Sequence, residues 1–111
     1  MTAFAALQAS LSAVTPPSSP GETGTVIDLG VAQDAILLYA TVSGSGEVHV
    51  SFSGSLDNSV WYSIDGGQFG NLNAGQTVAT VPGYPARYVE AISFTESGSP
   101  VVTASVAGAV C

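Results

Sequence analysis

Apolar and polar residues alternate with a period of two along most of this chain. The clearest stretch is 47–53, where Val48, Val50 and Phe52 face one way and Glu47, His49, Ser51 and Ser53 the other. Strict alternation of this kind predicts a half-buried β-strand. The run 35–43 is apolar on both faces for part of its length, which suits a strand covered on both sides or one that bends between two sheets. Gly44-Ser45-Gly46 separates the two runs and predicts a hairpin turn. Further strands are expected at 25–29, closed by Gly30, at 60–64, at 76–81, at 86–95 and at 100–107. Residues 54–59, Asp65-Gly66-Gly67, Pro82-Gly83-Tyr84-Pro85 and Glu96-Ser97-Gly98-Ser99 supply turns between them. About seven short strands at this spacing predict an all-β fold. The expected form is an antiparallel β-sandwich of jelly-roll or immunoglobulin/discoidin-like type, with a small barrel as the alternative.

One strand carries a conflict. In 87–95, burying Val89 and Ala91 turns Arg87 toward the core, whereas burying Tyr88, Ile92 and Phe94 turns Glu90 inward. A bulge near Glu90 would reconcile the two halves.

The first 22 residues read differently. Phe4, Leu7 and Leu11 fall at i, i+3 and i+7, one face of a short helix. The run Thr15-Pro16-Pro17-Ser18-Ser19-Pro20-Gly21 ends it and predicts an extended linker. A secretory leader would open with positive charge, and this stretch has none. The expected organisation is therefore an N-terminal arm over 1–22 and a sandwich over 23–111. Phe4, Leu7 and Leu11 are the residues expected to grip a partner, with a frayed terminus as the alternative, and deleting the arm is expected to leave the body folded.

Composition narrows the functional classes. The 111 residues hold one Lys+Arg against eight Asp+Glu, a net charge of −7. Nucleic acid and anionic lipid both call for clustered cations, so neither is an expected partner. Charged residues make up only 8% and mean hydropathy is +0.42, which implies that part of the surface is covered by another molecule. No apolar run approaches the ~18 residues of a membrane-spanning helix.

Chemistry-bearing residues are sparse. His49 is the only histidine, and Cys111 is the only cysteine and the last residue. A Cys–His nucleophile would need an orienting third group that nothing suggests. Cys111 reads as a tail or an intersubunit contact. The eight carboxylates are scattered singly, and a glycosidase pair would need a deep cleft. Asp57, Asn58 and Asp65 have oxygens suited to calcium, but turns capped by their own side chains explain them better. No enzyme activity, cofactor or metal is expected. Trp61, Tyr62, Phe69 and Tyr84 could stack on sugar rings, although Trp61 is expected to fill the core. Arg87 is the only Lys or Arg, and if buried without a carboxylate it would cost about 3–5 kcal/mol. Asp57, Asp65 and Asp28 are its candidate partners. Its expected role is structural, tying a loop to the strand that starts at Ala86.

Two segments carry a resemblance. Ser55-Leu56-Asp57-Asn58-Ser59-Val60-Trp61-Tyr62 resembles the S-x-D-G-x-x-W strand–turn–strand of discoidin-like sandwiches, with Asn58 in place of Gly. Ala86-Arg87-Tyr88-Val89-Glu90-Ala91 resembles their A-R-Y-V-R strand, with Glu90 in place of the second Arg. Together with Asp28-Leu29-Gly30 and Ala35-Ile36-Leu37-Leu38, the pair looks more like the small β-sandwich structural proteins of tailed bacteriophages. That resemblance implies a virion protein assembled in the host cytoplasm, of the capsid-decoration or head-fibre type. Its implied partners are the major capsid protein or other virion subunits, bound in multiple copies or as a homo-oligomer. Asp57, Trp61 and Arg87 are then structural residues. The alternative is a tail-associated or free carbohydrate-binding module with a glycan as ligand.

Overall fold

The computed structural model describes residues 3–110 and forms eight strands from them: β1 (Ala3–Phe4), β2 (Gln8–Val14), β3 (Glu22–Thr23), β4 (Ile27–Gln33), β5 (Ile36–Ser55), β6 (Trp61–Asn73), β7 (Thr77–Thr80) and β8 (Ala86–Val110). Every pairing is antiparallel, and no helix occurs among the described residues. Cys111, and Met1 and Thr2 of the expected helix, lie outside them.

The architecture rests on two long strands. β5 has 20 residues and β8 has 25, and they pair continuously from Ile36 opposite Gly108 to Ser55 opposite Tyr88. The N-terminal half of β5 also pairs with β7, and its C-terminal half with β6. The free edge of β8 takes β4 and β3 along its first half and β2 and β1 along its second. Each half of the β5–β8 ladder is thereby the centre of one layer of a sandwich. One buried cluster joins the layers, with Leu38, Val42, Val102 and Val106 from one half and Val50, Phe52, Ile64 and Val89 from the other.

A glycine crease lets the ladder fold over itself. Gly46 lies opposite Gly98 and Gly44 opposite Pro100. All three glycines have positive φ, at 81°, 97° and 70° for Gly44, Gly46 and Gly98. A Cβ on Gly46 would fall 2.0 Å from the Ser97 carbonyl oxygen, and one on Gly98 would fall 2.8 Å from the Gly46 Cα. No side chain fits on the inside of this bend. The expected hairpin turn at 44–46 and the expected turn at 96–99 are therefore the two strands of a single corner, and neither reverses the chain.

Side-chain parity explains the conflict in 87–95. In β5 the even residues from Ile36 to Phe52 face inward on both sides of the crease, apart from the glycines. In β8 the inward set is Val89, Ala91 and Ser93 before the crease but Val102, Ala104 and Val106 after it. The switch occurs where Glu47 pairs with Ser97 and Val48 with Thr95, leaving Glu96 as the extra residue. The bulge thus sits at Glu96, not near Glu90, and Glu90 points outward with Tyr88, Ile92 and Phe94.

The N-terminal segment is strand, not helix. Gln8 pairs with Val106, Leu11 with Ala104 and Val14 with Val102. Leu11 is buried in the chain's own core, at 2% exposure. The helical spacing of Phe4, Leu7 and Leu11 gives way because an open edge of β8 offers ladder hydrogen bonds that a lone short helix cannot match. The proline-rich stretch is also tied down. Thr95 donates its backbone N–H to the Pro17 carbonyl and its hydroxyl to that of Pro16, and Glu22 and Thr23 then pair with Ser93 and Ile92.

Candidate docking surface

The fold has two unlike ends. The crease end is built from Ser43–Gly46, Glu96–Ser99 and the β6–β7 turn at 73–76, and it is polar. The opposite end gathers the β5–β6 loop (56–60), the β7–β8 loop (81–85), the bulged part of β4 and β1. Contacts between the layers fix this arrangement. A Cβ on Gly66 would touch Pro82, one on Gly67 would touch Leu38, and Gln33 pairs with Ala86 while its side chain accepts the Ala109 N–H at 2.7 Å.

Exposed large apolar side chains collect at this second end. Val31 is 64% exposed, Leu56 54%, Val60 69% and Val81 47%. Leu7 and Tyr84 belong to the same end, and Phe4, which pairs with Ala109 there, is half-buried. No cavity opens among the described residues, so this is an outer surface.

Polar groups hold its loops in shape. Asp57 Oδ1 accepts the backbone N–H groups of Ser59 and Val60, each at 2.9 Å, and the Ser55 hydroxyl at 3.1 Å. The N–H bonds from Val60 and Ser59 favour the ionised form and hold the Asp57 carboxyl below its ordinary pKa. Asn58 completes the turn at a φ of 62°, which Asn tolerates better than most residues. On the second loop, the Tyr62 hydroxyl donates to the Pro85 carbonyl, and the Tyr62 and Tyr84 rings lie 5.5 Å apart. Burial, and then the neighbouring Tyr84, push the Tyr62 phenol up in pKa.

Arg87 pairs with Asp28. Its Nε donates to Oδ1 at 3.0 Å and a terminal nitrogen to Oδ2 at 3.2 Å. Both side chains are partly exposed, at 39% and 49%, so the burial cost feared for a lone cation does not arise. The hydrogen bond to Arg87, followed by the Gly30 N–H, lowers the Asp28 pKa. The guanidinium also lies 5.0 Å from the centre of the Tyr88 ring. The pair links β4 to the start of β8 and uses the chain's only Lys or Arg.

Other residues singled out in the sequence are dispersed. Trp61 is not a core filler. It pairs with Ser55, shares the outward face, and is half-buried there, with Tyr88 on the other side of Ser55. Phe69 does reach the core, edge-on to Phe52 at 6.2 Å. His49 stacks on Phe94 with ring centres 4.7 Å apart. No three His, Cys, Asp or Glu side chains converge as a metal cluster among the described residues, and Oδ1 of Asp57 is bonded within its own loop. Sequence reasoning missed the docking end as a unit. Leu56 reads as an apolar residue in a turn, Val31 follows the strand closed by Gly30, and Val60 and Val81 read as the ends of strands, but only the crease brings these segments to one end.

No family model matches the chain, and no curated protein sequence matches it. Among solved structures it is similar to the SPBc2 prophage-derived protein YomS, with a TM-score of 0.59 and 16% identity over 97% of this chain and 96% of that one. At that identity the likeness is one of fold, and it extends over nearly the full length of both chains.

Proposed function

We propose that this chain is a structural protein of a tailed-phage virion, a decoration subunit that seats on the outer surface of the shell. The observation that carries the reading is the apolar end, where Leu56, Val60 and Val81 stand exposed on loops braced by Asp57 and Tyr62, with Val31 exposed on β4. A rigid apolar surface loses little entropy on docking. The end-to-end similarity of fold to a prophage-derived protein supports the phage context. Phe4 and Leu7 extend this end, while Leu11 serves the fold. The test is co-sedimentation of the full chain with particles of its own phage stripped of it. Saturable binding at a fixed number of copies per particle is expected. Absence of binding at any concentration would overturn the reading.

A further inference from the structure

The apolar end is also one-sided in charge. Asp34, Asp57 and Asp65 are exposed around it, and Asp28 stands beside them. The one Lys or Arg of the chain, Arg87, already faces Asp28 at 3.0 Å. This end therefore presents exposed apolar side chains together with carboxylates and has no side-chain cation left to offset them. A second copy is a poor occupant, since it would set Asp34, Asp57 and Asp65 against their own duplicates. The crease end offers no remedy, because it adds Glu47 and Glu96 but no Lys or Arg.

We infer that the occupant of this end is a different protein whose contact surface is apolar at its centre and carries Lys or Arg at its rim. This deepens the docking role proposed above and rests on it for the identity of the partner, but not for the chemistry. Apolar contact supplies the holding area, while the carboxylates of this end steer approach and reject self-association. It also predicts a salt dependence that a purely apolar contact would lack.

The test needs no virus particle. Amide resonances of the full chain are followed by NMR as two synthetic peptides are added, one alternating Lys with Leu and the other Glu with Leu. The Lys-Leu peptide is expected to shift amides in 56–60 and 81–86, with at least tenfold weaker binding at 500 mM than at 50 mM salt. The Glu-Leu peptide is expected to leave them in place, and light scattering is expected to give the monomer mass. Equal response to both peptides, shifts confined to the crease end or to the β6 edge, no shifts at all, or a dimer that Leu56→Ser abolishes would each overturn the inference. Failure of particle binding with a positive peptide result would instead remove the virion reading and leave the surface chemistry standing.

Discussion

The hydroxyl of Ser10 is bonded to Ala91, 81 residues further along the chain. It accepts the Ala91 N–H at 2.9 Å while donating to the Thr25 carbonyl at 2.7 Å. Ser10 is buried at 5% exposure, and its own carbonyl accepts the Thr25 N–H. One small side chain thus stitches β2 of one layer to the edge of β8 in the other.

Ser10→Ala is therefore expected to destabilise the fold by about 1–3 kcal/mol, because it leaves the Ala91 N–H buried without a partner. Urea unfolding should show a lower midpoint with an unchanged slope. Removing residues 1–22 altogether is expected to prevent cooperative folding, since it exposes the β8 edge and strips Leu11 from the core. That outcome reverses the expectation drawn from the sequence.

The crease makes a second prediction. Gly98→Ala places a methyl group 2.8 Å from backbone at positive φ, whereas Gly75→Ala, at a φ of 93°, meets nothing within 4 Å. Both variants pay for the backbone conformation, about 1 kcal/mol. Only the Gly98 variant must also push the two strands apart. Thermal melts should rank it well below Gly75→Ala, and equal melting temperatures would show that the corner is not close-packed.

Acidic groups predict a divided pH response. Burial raises the pKa of Glu90, so its charge is less favourable in the folded state than in the unfolded one. Glu90→Gln is expected to raise the melting temperature at pH 7 and to lose that advantage at pH 3, where Glu90 is protonated in both states. Asp57 has the opposite sign. Its depressed pKa contributes stability that is present above the ordinary value of 3.8 and lost as pH falls through the folded value. Asp57→Ala is expected to lower stability at pH 7, and by progressively less as pH falls below 3.8.

The strands themselves were legible because alternation in 47–53 and 102–106 reports one buried face without ambiguity. The corner was not. Gly44-Ser45-Gly46 and Ser97-Gly98-Ser99 each read as a turn when taken alone, and only their facing register makes them a fold in a continuous ladder. The same limit hid the bulge. Val89 and Val102 lie on opposite parities, which a sequence shows, but the place where parity switches depends on which residue of β8 lacks a partner. Leu11 was misread for a related reason: its spacing from Phe4 and Leu7 fits a helix, and the β8 edge that recruits it lies more than 90 residues away. Arg87 pointed to a carboxylate partner, yet three aspartates fitted equally until β4 placed Asp28 opposite Tyr88. Trp61 was assigned inward by its size, but pairing with Ser55 puts it on the outer face.

The most direct measurement of the docking account compares pelleting isotherms on stripped phage particles for three proteins: the natural chain, the double variant Leu56→Ser with Val60→Ser, and Ser99→Gln at the crease end. The two apolar residues are 54% and 69% exposed, so their loss should leave stability within about 0.5 kcal/mol. The account predicts that the double variant binds at least tenfold more weakly while Ser99→Gln binds as the natural chain does. Undiminished binding by the double variant, or loss of binding only with Ser99→Gln, would contradict it.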